Sequence, residues 1–162
     1  MVISESKKDK YCTEISNGDK TILSDVTEEK GGRGEHFRPH DLLCAGLASC
    51  LNITTRMILE RKGIEYEKVV VKVEIDKKDE KKTKFLYNVD IIGDISDEIK
   101  QSILEMLKKS PVKKTLSKEI EFEVYNKDSR EVWLLPLKAK QLYIIFIIVI
   151  NPHYFLYLMG WA

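Results

Sequence analysis

The sequence predicts an α+β fold in the order ββ-α-ββ-α-β, with mostly antiparallel sheet and two helices packed on it. Three observations carry the prediction. A short alternating stretch turns back at Asn17-Gly18, a long run of helical spacing fills residues 39–62, and a second pair of alternating stretches precedes a second helical run ending near residue 110. Strands that come in hairpins, with helices between them rather than after every strand, favour antiparallel sheet covered by helices.

Taken in order, residues 10–16 alternate around Tyr11, Thr13 and Ile15, Asn17-Gly18 supplies a tight turn, and residues 21–26 form the return strand. Residues 27–37, TEEKGGRGEHF, read as a loop that bends sharply or approaches a ligand closely, with a plain exposed linker as the alternative. Pro39 suits the first turn of a helix and Asp41 complements its dipole. Small or apolar residues then recur through Leu42, Leu43, Gly46, Leu47, Cys50, Ile53, Thr54 and Met57 to Lys62, where Gly63 caps. At about 1.5 Å per residue this helix is about 35 Å long. Residues 69–75 and 84–92 form the second hairpin, bridged by the charged turn DKKDEKK. Ser96 is the N-cap of the second helix, with Asp97 and Glu98 in its first turn. Ile99, Ile103, Leu104, Met106 and Leu107 form its apolar face, and Ser110-Pro111 ends it. Residues 119–124 alternate as a last strand.

A chain of 162 residues with 43% hydrophobic content has the size and material for one core. Its 27 basic and 26 acidic side chains give a net charge of +1, which provides no field to attract nucleic acid in general. Three Cys without CxxC spacing, and an opening MVISESKKDK without an apolar stretch, point to a reducing, cytoplasmic setting. Charge is unevenly spread: only six of the 53 charged residues follow residue 125. That places a domain boundary there, with residues 1–125 as the domain and 126–162 as an apolar extension. Residues 142–162 carry no formal charge and have the length of a membrane span, but Asn151-Pro152-His153 interrupts them. Membrane contact of the tail, packing on the domain or on a partner chain, and an origin foreign to the domain remain alternatives.

The chemistry converges on the long helix. Ala45, Gly46, Ala48 and Ser49 clear space beside Cys50, either for another helix or for a small substrate; a Cys used as small apolar core is the competing reading. Cys44 lies six residues away, about 240° around the helix, so the two sulfurs do not pair within one helix. A mid-helix thiolate needs a nearby cation. Arg33 and Arg38 on the preceding loop are the candidates, and Asp41 could hold one of them in a bidentate pair. His40 is a candidate base, yet with His36 and His153 it forms no metal-ligand spacing. P-loop, GxGxxG and GxSxG signatures are missing from the sequence.

These residues carry a resemblance. GGRGEHFRPHDLLCAGLASCLNITTRMILERKGI, residues 31–64, resembles the core signature of the OsmC/Ohr family: a glycine-bearing loop, Pro-x-acid-Leu-Leu, a run of small residues and a Cys on the central helix. SPVKKTL, residues 110–116, is similar to the family's second signature, usually Cys-Pro-Val followed by His-Lys-x-Leu. The resemblance spans about residues 10–125. It implies an OsmC-like fold, an intertwined homodimer with its central helices buried between subunits, and thiol-dependent reduction of organic hydroperoxides or hydrogen peroxide without a cofactor or metal.

Carried over by position, Cys50 matches the peroxidatic Cys, and Asp41 matches the acidic residue of the loop-helix junction, where Glu is more usual. Ser110 stands where the family has its second, resolving Cys, and Lys113 where it has His. The arginine of the peroxidase subgroups has no counterpart on the N-terminal strands, so Arg33 or Arg38 would take its place. A sulfenic acid on Cys50 would then need a thiol other than position 110: an external reductant, or Cys12 or Cys44 of either subunit. Three readings follow: a one-Cys peroxidase, a non-catalytic dimer that binds a small molecule or serves structure with Cys50 as core, and an interaction protein whose tail decides its location.

Overall fold

A computed structural model of the chain describes residues 1–124. The expectations for residues 126–162, including the apolar run and His153, therefore lie outside the described residues. The chain divides into units Met1–Glu119 and Ile120–Ala162, and the fold below is that of the first.

Two antiparallel sheets form. Strands β1 (Ile3–Ser6), β2 (Thr13–Ser16) and β3 (Thr21–Ser24) make one, in the order β1-β2-β3, and β4 (Lys68–Asp79) and β5 (Lys82–Ile92) make the other. The Asn17-Gly18 turn is present: Asn17 Oδ1 accepts from the backbone N–H groups of Asp19 and Lys20, and Gly18 has φ +103. Strand β1, which pairs with β2 in register Ile3↔Ser16, is additional to the predicted hairpin. The sequence ISES has little β signal, and every residue of it is exposed. The second hairpin is longer than its apolar stretches. Most of DKKDEKK lies within the strands, with an irregularity between Asp76 and Asp79, because the ladder continues past the core as an exposed arm.

Helix α1 (Pro39–Arg61) begins and ends as its sequence dictates, with Pro at its start and Gly63 at φ +63 beyond its end. Leu47, Leu51, Thr55 and Leu59, each four residues on from the last, form one stripe that is fully or nearly fully buried. They pack with Val69 and the β5 residues Val89 and Ile91, and Ile103 and Leu107 of α2 (Asp97–Leu107) complete the core. Each fully buried Leu or Ile contributes about 1.5–3 kcal/mol by removal from water. Thr55 fits this stripe because its hydroxyl donates to the Leu51 carbonyl at 2.8 Å. By length and composition α1 could cross a membrane. Leu47, Leu51, Thr55 and Leu59 place one side of it in the core of this unit, while Leu43, Ile53 and Met57 stay exposed.

Ser96 caps α2, its hydroxyl accepting from the Ile99 N–H at 3.4 Å. A short helix α3 (Pro111–Leu116) follows, so Ser110-Pro111 both ends one helix and starts another. Residues 119–124 form no ladder, and Phe122 and Val124 are almost fully exposed. Alternation makes a segment competent to pair, but no described strand pairs with it. The α+β class with antiparallel strands stands.

Candidate functional site

The loop into α1 is shaped by glycines. After a 3-10 turn at Glu28–Lys30, Gly31 and Gly34 take positive φ. A Cβ at Gly32 would lie 2.2 Å from the Val26 carbonyl oxygen, so only glycine fits there. Buried Asp25 fastens the far end, its carboxylate accepting from the N–H groups of Glu35 at 3.0 Å and His36 at 3.2 Å. The loop thereby delivers Arg38 to the N-cap of α1. Arg38 Nε and Nη2 donate to the two oxygens of Asp41, both at 2.8 Å, and the Arg38 backbone N–H donates to Oδ2 at 3.1 Å. The bidentate pair anticipated for Asp41 is thus made with Arg38. Its hydrogen bonds hold the Asp41 carboxyl below, and the Arg38 guanidinium above, their ordinary pKa values.

Asp41, His40 and Cys44 are three and four residues apart and line one cleft of about 920 Å³, between the glycine loop, the first half of α1 and β4. Burial, then the negative charges of Asp41 and Glu74, pushes the Cys44 pKa up. The protonated thiol is the less reactive form.

Cys50 does not line this cleft. It is half-buried on another side of α1, in a stripe with Leu43, Gly46, Ile53 and Met57, which are exposed. Nine residues, about 180° of helix rotation, separate Cys50 from Asp41. The described single chain therefore brings Arg38, His40, Asp41 and Cys44 together, with Cys50 elsewhere. Arg33 donates instead to Asp9 at 3.1 Å, in the turn between β1 and β2. Within one chain the Arg38–Asp41 pair expected near Cys50 lies on another face of α1, because three and four residues share a helix face and nine do not.

Ser110 is 1% exposed and its Oγ has no hydrogen-bond partner. Lys113 Nζ donates to Tyr87 Oη on β5 at 2.8 Å and lies 4.8 Å from the ring centre. Cys12 is buried just before β2.

Two antiparallel sheets, a long cysteine-bearing central helix and a glycine loop that caps it define a class of small α+β thiol proteins. Over residues 32–125 the sequence matches the family described as OsmC-like protein, and the chain belongs to that family. Its fold is similar to a putative osmotic stress induced and detoxification response protein of Psychrobacter arcticus, at 18% identity and TM-score 0.60, covering 70% of this chain and 85% of that one. It is also similar to an OsmC-like protein of Mycoplasma pneumoniae, at 18% identity and TM-score 0.60, covering 72% and 85%. An organic hydroperoxide resistance protein OsmC of Legionella pneumophila matches at 19% identity and TM-score 0.52, covering 75% and 90%. No curated protein matches the sequence.

Proposed function

We propose that the chain is a cytoplasmic, homodimeric one-Cys peroxidase that reduces organic hydroperoxides or hydrogen peroxide through Cys50. The observation that carries this reading is the position of Cys50, half-buried on the open apolar face of the central helix of an OsmC-like domain, with exposed Gly46 and Ser49 beside it. The hydroperoxide resistance activity named for the similar Legionella protein supports the same reaction class. A second copy laid on the stripe of Leu43, Ile53 and Met57 would remove it from water and leave a dry seam around the sulfur.

The reaction balances as follows. The Cys50 thiolate attacks the terminal peroxide oxygen, the O–O bond breaks, and the departing alkoxide takes a proton to leave as alcohol, or as water from hydrogen peroxide. Cys50 becomes a sulfenic acid. An external thiol condenses with it, releasing water and forming a mixed disulfide; a second thiol then restores Cys50 and leaves as the oxidised disulfide. Ser110 cannot take part, because a hydroxyl forms no disulfide. In this reading Arg38 and Asp41 set the start of α1, and Arg33 fastens the loop to the β1-β2 turn.

The test is sulfenic acid trapping after brief exposure to an organic hydroperoxide, read by mass spectrometry on the wild type, Cys50→Ser and Cys44→Ser. Fast labelling is expected at Cys50 and unchanged in Cys44→Ser. Labelling of Cys50 no faster than that of an ordinary exposed thiol would replace this reading with the non-catalytic dimer. That alternative is favoured by one observation: both loop arginines are already paired with carboxylates.

A further inference from the structure

Arg56, halfway along α1, differs from the loop arginines. Arg33 is paired with Asp9 and Arg38 with Asp41, whereas the partner of Arg56 is uncharged: its Nε donates to Asn52 Oδ1 at 3.1 Å. Asn52 is fixed in turn, its Nδ2 donating to the Val69 carbonyl of β4 at 2.9 Å. Helix and strand together therefore hold the guanidinium by one edge. Among the described residues no carboxylate forms an ion pair with Arg56, so its two terminal nitrogens remain free to donate.

A groove of about 310 Å³ lies beside it, at the lower limit of small-molecule sites. Ser49, Asn52 and Arg56, at intervals of three and four residues, share one side of α1 and give the groove its polar wall. Ala48, Ile53 and Val71 give it an apolar one. Long helical side chains lean toward the N-terminus, which carries the Arg56 fork over Asn52 and toward the exposed Ser49. Arg56 is the one charged residue in this lining, so the field in the groove has a single sign. In the cleft beside Cys44, by contrast, Glu29 and Glu74 offset Lys30 and Lys77, and charge selects no ligand there.

We infer that the Ser49, Asn52 and Arg56 face of α1 is a binding site for a small carboxylate with a short apolar body. The free end of the guanidinium presents parallel N–H donors that match the two oxygens of a carboxylate. An alcohol of the same shape gains no charge-assisted bond, and a cation is repelled. The body of the ligand lies against Ile53, Ala48 and Val71. Arg56 is about 240° around the helix from Cys50, so the site is distinct from that sulfur and the inference does not rest on peroxidase activity.

The experiment uses the full chain and 4-fluorobenzoate, followed by broadening of its fluorine NMR signal. Saturable binding is expected, with benzoate competing at least tenfold better than benzyl alcohol. Arg56→Gln should weaken binding at least tenfold, while Arg33→Gln, which removes the same charge elsewhere, leaves it unchanged. Nuclear Overhauser contacts between the bound ring and the Ile53 methyl groups in the wild type are the criterion independent of any variant. Equal weakening by the two variants would show diffuse charge attraction and overturn the inference. So would equal competition by benzyl alcohol, absence of saturable binding, or ring contacts that avoid Ile53. Binding that appears only on dilution would also overturn it, because a second copy would then fill the groove.

Discussion

At Ser110 a single oxygen separates two outcomes. Its Oγ is buried without a partner, where a thiol would leave a weaker demand unmet. Ser110→Ala is therefore expected to raise stability by about 1 kcal/mol, seen as a higher urea midpoint at unchanged slope. A lower midpoint would mean that the hydroxyl has a partner in the assembled protein. At Asp41 the expectation concerns pH. Its folded pKa lies below its unfolded one, chiefly through the hydrogen bond from Arg38, so the stabilisation is fully present above the unfolded pKa and is lost as pH falls through the folded one. Asp41→Ala should cost about 0.5–1 kcal/mol at neutral pH, near the low end for a cap because solvent screens the pair, and the cost should vanish in acid. Denaturation at neutral pH and below the carboxylate range checks both parts. That Asp41 pairs with one of the two loop arginines was legible from a carboxylate in the first turn of a proline-marked helix; the structure shows that the partner is Arg38. The neighbour of Cys50 was not legible: which side of a helix faces which sheet depends on long-range packing, and residues 39–61 carry apolar or small residues on most faces.

At the scale of the element, α1 has a closed stripe and an open one, and substitutions should tell them apart. Leu51→Ala, on the closed stripe, should cost about 2–5 kcal/mol, measured by denaturation. Gly46 is on the open stripe, and a Cβ added there meets nothing within 4 Å in the single chain. Gly46→Ala should therefore stabilise an isolated chain by about 0.5–1 kcal/mol through helix propensity. If α1 packs against its twin, the same methyl intrudes on the seam, and sizing by light scattering should show weaker dimerisation. The order of elements from residue 10 to 110 was legible, since hairpin turn, helical period and capping residues all agree. Strand β1 was not, because ISES forms a strand only by pairing with β2. Residues 119–124 err the other way: Ile120, Phe122 and Val124 alternate, but a strand is a property of a pair.

For the whole molecule, the change in charge density after residue 125 leads us to propose a domain boundary there, and a chain ending at Tyr125 is expected to stay soluble and folded, by circular dichroism and sizing. Aggregation would show that the extension covers part of the domain. The three-stranded sheet contributes no residue to the core cluster, and its described ties to the glycine loop include the Ser24 hydroxyl on the Phe37 carbonyl at 2.7 Å and the Asp25 carboxylate on two N–H groups. A sheet joined this way opens without disturbing α1. In deuterated solvent, the amide protons of β1 to β3 in a lone chain would therefore be replaced long before those of β5, and the two rates would draw together only when another copy shields the first sheet. The exchange clock of the N-terminal strands thus reads out assembly.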